Sequence, residues 1–104
     1  MAIVAESFDF VIGVDTHAKT HTLAVVTPDG LVGDTGTFPT SSPGLGRATS
    51  WVSKHTGGPG GGARVLVSME GTGSYGARLA AVLTHAGYQV ADHDPLVLGQ
   101  EPRR

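Results

Sequence analysis

Phe10-Val11-Ile12-Gly13-Val14-Asp15, followed at once by Thr16-His17-Ala18-Lys19, is the stretch whose reading decides the fold. Its apolar residues run without a polar break into a carboxylate. A run of this kind, with Phe10, Val11, Ile12 and Val14, predicts a strand over Phe8–Asp15 covered on both faces. Asp15 then stands where the strand leaves the core. A carboxylate held there, rigid and half desolvated, suits a hard cation; a plain loop cap is the simpler role for it.

The rest of the chain builds outward from this strand. Thr16 to Thr20 is a polar turn, and the β-branched run His21–Thr27 predicts a second strand. Pro28-Asp29-Gly30 presets a tight turn, since Pro fixes φ and Gly accepts a positive one. Leu31–Phe38 reads as a third strand, antiparallel to the second, weakened by its glycines as an edge allows. Between Pro43 and His55, Leu45, Ala48, Trp51, Val52 and His55 recur at helical spacing, with Ser42 as the cap and Pro43 opening the helix. Gly57-Gly58-Pro59-Gly60-Gly61-Gly62 is a surface connection, and no Lys-Ser/Thr pair follows it to make a phosphate cradle. Arg64–Met69 is a fourth apolar strand ending at Glu70. Tyr75, Leu79, Val82, Leu83 and Ala86 mark a second helix, closed by Gly87. Tyr88–Asp92 is a fifth strand. Met1–Ser7 reads as a lead-in that frays. The order β-β-β-α-β-α-β predicts an α/β fold, a three-strand antiparallel meander extended by parallel strands with helices packed on the sheet.

Composition limits the function classes. A chain of 104 residues holds one small domain, and a net charge of −2 with pI near 6.2 supplies no broad basic field for a free-standing nucleic-acid binder. There is no cysteine, which excludes disulfides and thiolate metal sites and fits a reducing, cytoplasmic setting. No apolar run reaches the length of a membrane span, so no membrane partner is expected.

Two strands end in carboxylates, Asp15 and Glu70. If the strands are neighbours, the acids stand side by side, and as bare anions they repel. A bound Mg²⁺ or Mn²⁺ removes that penalty, and such ions serve in-line displacement at phosphorus.

Two motifs then carry a family resemblance. Ile12-Gly13-Val14-Asp15-Thr16-His17-Ala18-Lys19 is similar to the opening strand of the DEDD-type insertion-sequence transposases (the IS-one-ten kind), with their Asp-x-His-x-Lys pattern. Met69-Glu70-Gly71-Thr72-Gly73-Ser74-Tyr75-Gly76 is similar to that family's Glu-Gly-Thr-Gly-Ser-Tyr-Gly. Phe38-Pro39, Gly44 and Trp51 fit the same pattern, and the likeness spans about residues 10–95. It implies a RuvC-like domain of the RNase H-like superfamily, with residues 96–104 as a tail. It also implies metal-dependent DNA strand cleavage and transfer, with Asp15 and Glu70 as the first two of four catalytic, metal-binding acids. The family's last two acids lie in a Lys-Ser/Thr-Asp-x-x-Asp segment, for which nothing after Asp94-Pro95 is a match. The resemblance therefore implies a truncated domain, inactive alone, whose partners are DNA, a guide RNA as in the family, and further copies of itself.

Other residues near the motifs have roles to weigh. His17 and Lys19 are candidate phosphate contacts or ordinary loop polarity. Thr72 and Ser74 are caps for the second helix, or their amides bind an anion. Tyr75 is core or substrate-facing. Asp92 and Asp94 could stand in for missing acids, though a polar strand exit before Pro95 is the plainer reading. His17 and His21 straddle a turn and lack helical metal spacing. Trp51 is read as core, and His55, His85 and His93 as solvent-facing. Two alternatives keep the fold and change the function. One is an actin-like or sugar-kinase-like ATP-binding half, whose phosphate loop has Gly where this chain has His17. The other is a non-catalytic remnant.

Overall fold

The computed structural model describes residues 8–27 and 31–92. The lead-in, the Pro28-Asp29-Gly30 turn, His93, Asp94-Pro95 and the 96–104 tail lie outside the described residues. Among the described residues, five strands and two helices follow in the predicted order: β1 Phe10–Thr16, β2 Thr20–Val26, β3 Val32–Pro39, α1 Ser42–Thr56, β4 Val65–Met69, α2 Ala77–His85 and β5 Gln89–Asp92. They form one mixed sheet with spatial order β3-β2-β1-β4-β5. β1–β2 and β2–β3 are antiparallel, whereas β1–β4 and β4–β5 are parallel. This is the RNase H-like arrangement expected above, with β1 at its centre.

Strand alternation sorts the side chains. Ile12 and Val14 of β1, Leu23 and Val25 of β2, and Val65, Val67 and Met69 of β4 share one face. There they join Leu45, Ala48 and Val52 of α1 and Leu79 and Leu83 of α2 in the core. The crossings β3-α1-β4 and β4-α2-β5 advance across the sheet in one direction. Right-handed crossovers of that kind lay both helices on the same face. Burial is complete through β4, where all five residues are buried.

Several boundaries differ from the sequence reading. β1 starts at Phe10, where its ladder with β4 opens at Phe10↔Val65; the Asp9 N–H, one residue earlier, shares the Arg64 carbonyl with the Phe10 N–H outside that ladder. The cap of α1 is Ser41, not Ser42: its Oγ accepts from the Gly44 N–H at 3.3 Å, and Pro43 lies one residue inside the helix. Gly44 also lets the first turn seat against β3, since a Cβ there would collide with the Pro39 carbonyl. α2 starts at Ala77, with Gly76 as the cap position and no side-chain cap, so Thr72 and Ser74 do not cap it. His55 is not solvent-facing. Its Nε2 lies 2.9 Å from Asp34 Oδ2 and its Nδ1 2.9 Å from the Trp51 carbonyl, with its ring 4.4 Å from the Trp51 ring. Trp51 is partly buried against the core and meets Phe38 edge-on, which ties α1 to the edge strand β3. At the far end of α2, the Tyr88 N–H donates to the Leu83 carbonyl and its hydroxyl lies 2.7 Å from Ser53 Oγ.

Candidate functional site

The parallel pairing of β1 with β4 sets the site. The register ends at Val14↔Met69, both buried. Asp15 and Glu70 are the next residues on the two central strands, at one edge of the sheet, and both are exposed. In β1, Val14 enters the core and alternation turns Asp15 away from it. Asp15 is not half desolvated as expected. Its side chain is 76% exposed, because alternation with buried Val14 sets it on the sheet face opposite the two helices.

His17 turns back onto this carboxylate, its Nε2 3.3 Å from Asp15 Oδ2, with the ring 62% exposed. The turn that holds it is closed by the His17 N–H donating to the Thr20 carbonyl. Lys19 is exposed on the same turn, and its backbone carbonyl accepts from the Thr40 N–H at the entry to α1.

Glu70 opens a tight turn. Gly71 adopts φ +75°, a conformation side chains resist, and its carbonyl accepts from the Ser74 and Gly76 N–H groups. The Ser74 hydroxyl donates to the same carbonyl at 3.4 Å. Thr16 Oγ1 donates to the Glu70 carbonyl at 3.3 Å, and Thr72 Oγ1 donates to Asp92 Oδ2 at 2.8 Å. Tyr75 is 62% exposed, on the surface and not in the core. Asp92 pairs with Met69 at the end of β5 and is exposed.

Three residues escape the sequence reading. Arg78 of α2 donates to the Thr40 carbonyl (3.0 Å) and to Ser42 Oγ (2.9 Å), fastening the amino ends of the two helices beside the site. The scatter of arginines along the chain gives no sign of this. Thr16 is the second, its role set by a contact 54 residues away. The third is His21, which is 1% exposed, with its Nδ1 unpartnered. Burial, and then the nearby His17, hold its imidazole below the usual histidine range. Period-two reading of His21-Thr22-Leu23-Ala24-Val25 signals this, since His21 alternates in phase with buried Leu23 and Val25.

The donors at the sheet edge are hard oxygens, the kind Mg²⁺ and Mn²⁺ take, and Mg²⁺ is commonly held by one or two carboxylates with water and phosphate completing the shell. Asp15 and Glu70 fit that role. Among the described residues, no group of three or more His, Cys, Asp or Glu side chains stands together as a metal cluster.

A family model described as Transposase (DEDD_Tnp_IS110) matches residues 12–100. The chain belongs to this IS110-type transposase family. A search of curated proteins gave no match. The match runs through β1, with Asp15, and through β4 and its turn, with Glu70, so both motifs lie inside it. Membership in this transposase family displaces the ATP-binding alternative. No helix among the described residues is long and apolar enough to cross a membrane.

Proposed function

We propose that this transposase-family chain is a nuclease-type domain whose Asp15 and Glu70 hold a divalent cation, Mg²⁺ or Mn²⁺, for phosphodiester chemistry on DNA. The observation that carries the reading is the parallel register ending at Val14↔Met69, which delivers two exposed carboxylates to one sheet edge. When bound, such an ion neutralises the acids and stabilises charge at phosphorus. The chain's own residues supply the rest. His17 orients Asp15, Thr16 and Gly71 fix the Glu70 backbone, and Lys19 offers a cation for backbone phosphate. Thr72 and Ser74 line the turn beside Glu70, and the exposed Tyr75 ring offers a stacking surface for a base. A guide RNA and self-association belong to the same proposal, by likeness to the family.

Two carboxylates make a weak site, and with −2 net charge the domain attracts DNA poorly by itself. Cleavage of DNA by residues 1–104 is therefore expected at background level with either metal. Isothermal titration calorimetry tests the site. Wild type binds Mn²⁺ weakly, and Asp15→Ala and Glu70→Ala each lose the binding. Equal binding in wild type and Asp15→Ala contradicts the assignment, as does robust Asp15-dependent cleavage by this chain contradict its predicted inactivity.

A further inference from the structure

Glu70 lies one residue past the last pairs of both ladders that flank β4, Val14↔Met69 and Met69↔Asp92. Sheet pairing therefore stops short of it, yet a metal-binding carboxylate needs a fixed backbone. Two threonine hydroxyls meet that need from opposite sides. Thr16 of β1 donates to the Glu70 carbonyl, and Thr72, two residues after Glu70, donates to Asp92 of β5 at 2.8 Å. Because Asp92 is also the register partner of Met69, the second bond closes a ring: Met69, Glu70, Gly71, Thr72, Asp92 and back to Met69. Glu70 stands within that ring, with left-handed Gly71 as its one sharp bend.

We propose that Thr72 and Asp92 form a strut that positions Glu70, so that Asp92 acts as a hydrogen-bond acceptor in the site's support and not as a ligand. The inference rests on the metal-binding reading of Asp15 and Glu70. A hydroxyl donating to a carboxylate makes a strong, charge-assisted bond, and this one spans 20 residues of chain. Hydrogen bonds made directly to a metal ligand commonly carry about 10–100-fold in metal affinity, and this strut, which acts on the Glu70 backbone one step further out, is expected at the lower end of that range.

The test is Mn²⁺ calorimetry on the full 104-residue chain, with Tm measured alongside. Thr72→Val weakens Mn²⁺ binding by about tenfold, and Thr72→Ser, which keeps the hydroxyl, restores it. Asp92→Asn keeps an oxygen acceptor for Thr72, though without the charge, and retains most of the affinity, whereas Asp92→Ala falls with Thr72→Val. In the metal-free protein, amide exchange over Gly71–Ser74 quickens in Thr72→Val and not in Thr72→Ser. Unchanged affinity in Thr72→Val overturns the strut, and so does a loss in Asp92→Asn as large as in Asp92→Ala, which would make the charge itself a ligand. If Thr72→Val does not fold, the Asp92→Asn and Asp92→Ala comparison decides. Wild type that fails to bind Mn²⁺, or binding that survives Asp15→Ala, overturns the metal site and the strut together. Binding lost in Asp15→Ala but intact in Thr72→Val overturns the strut alone.

Discussion

His21 is the residue whose chemistry departs furthest from its setting. It sits at 1% exposure in β2 with Nδ1 unpartnered, and both burial and His17 disfavour its charged form. The unfolded chain, with an ordinary histidine, takes up a proton near pH 6.5, while the folded chain resists it until lower pH. Between those two values the unfolded state binds more protons, so stability rises with pH. The His21 contribution is complete above about pH 6.5 and is lost as pH falls toward the lowered folded value. His21→Leu removes both the proton uptake and the unpartnered nitrogen. Urea denaturation from pH 7.5 down to 5 is expected to show a shallower acid loss in His21→Leu than in wild type. Identical slopes would mean that His21 is not held neutral by the fold.

At the scale of elements, docking of α1 depends on Gly44. Its missing Cβ leaves room for the Pro39 carbonyl at the junction of β3 and the helix. Gly44→Ala gains helix propensity of about 1 kcal/mol but forces two backbone segments apart. Overpacking of this kind costs about 1–3 kcal/mol, so the variant is expected to be less stable, or at best equal, by urea denaturation. A clearly stabilised Gly44→Ala would show that the contact is loose.

The elements also mark how far the sequence was legible. β1, β2 and β4 follow from β-branched runs and their turns, and α1 from the spacing of Leu45, Ala48 and Val52, because those patterns record burial directly. Spacing sets the start of α2 too early, because Gly71-Thr72-Gly73-Ser74-Tyr75-Gly76 uses its hydrogen bonds on the turn. Thr72 reaches β5 and Ser74 the Gly71 carbonyl, a division that spacing alone does not reveal. The setting of His55 is hidden from the sequence for a related reason: its partner Asp34 is 21 residues distant, on a neighbouring element. Asp15 and Glu70 are legible as strand ends, but their adjacency needs the sheet order, and the exposure of Asp15 is known only from the face that the helices leave uncovered.

For the molecule as a whole, both crossovers place the helices on one face, and the carboxylates stand at an edge where β1, β4 and β5 end together. Arg78 and the capped start of α1 brace the same end from above the core. The central claim is that one cation is shared between β1 and β4. Substoichiometric Mn²⁺ added to ¹⁵N-labelled protein tests it most directly, since the bound ion broadens nearby amide signals. The amides of Asp15 and Thr16 and those of Glu70 and Gly71 are predicted to broaden together and ahead of the rest. Broadening confined to one of the two strand ends, or spread evenly over the surface, would contradict a shared site.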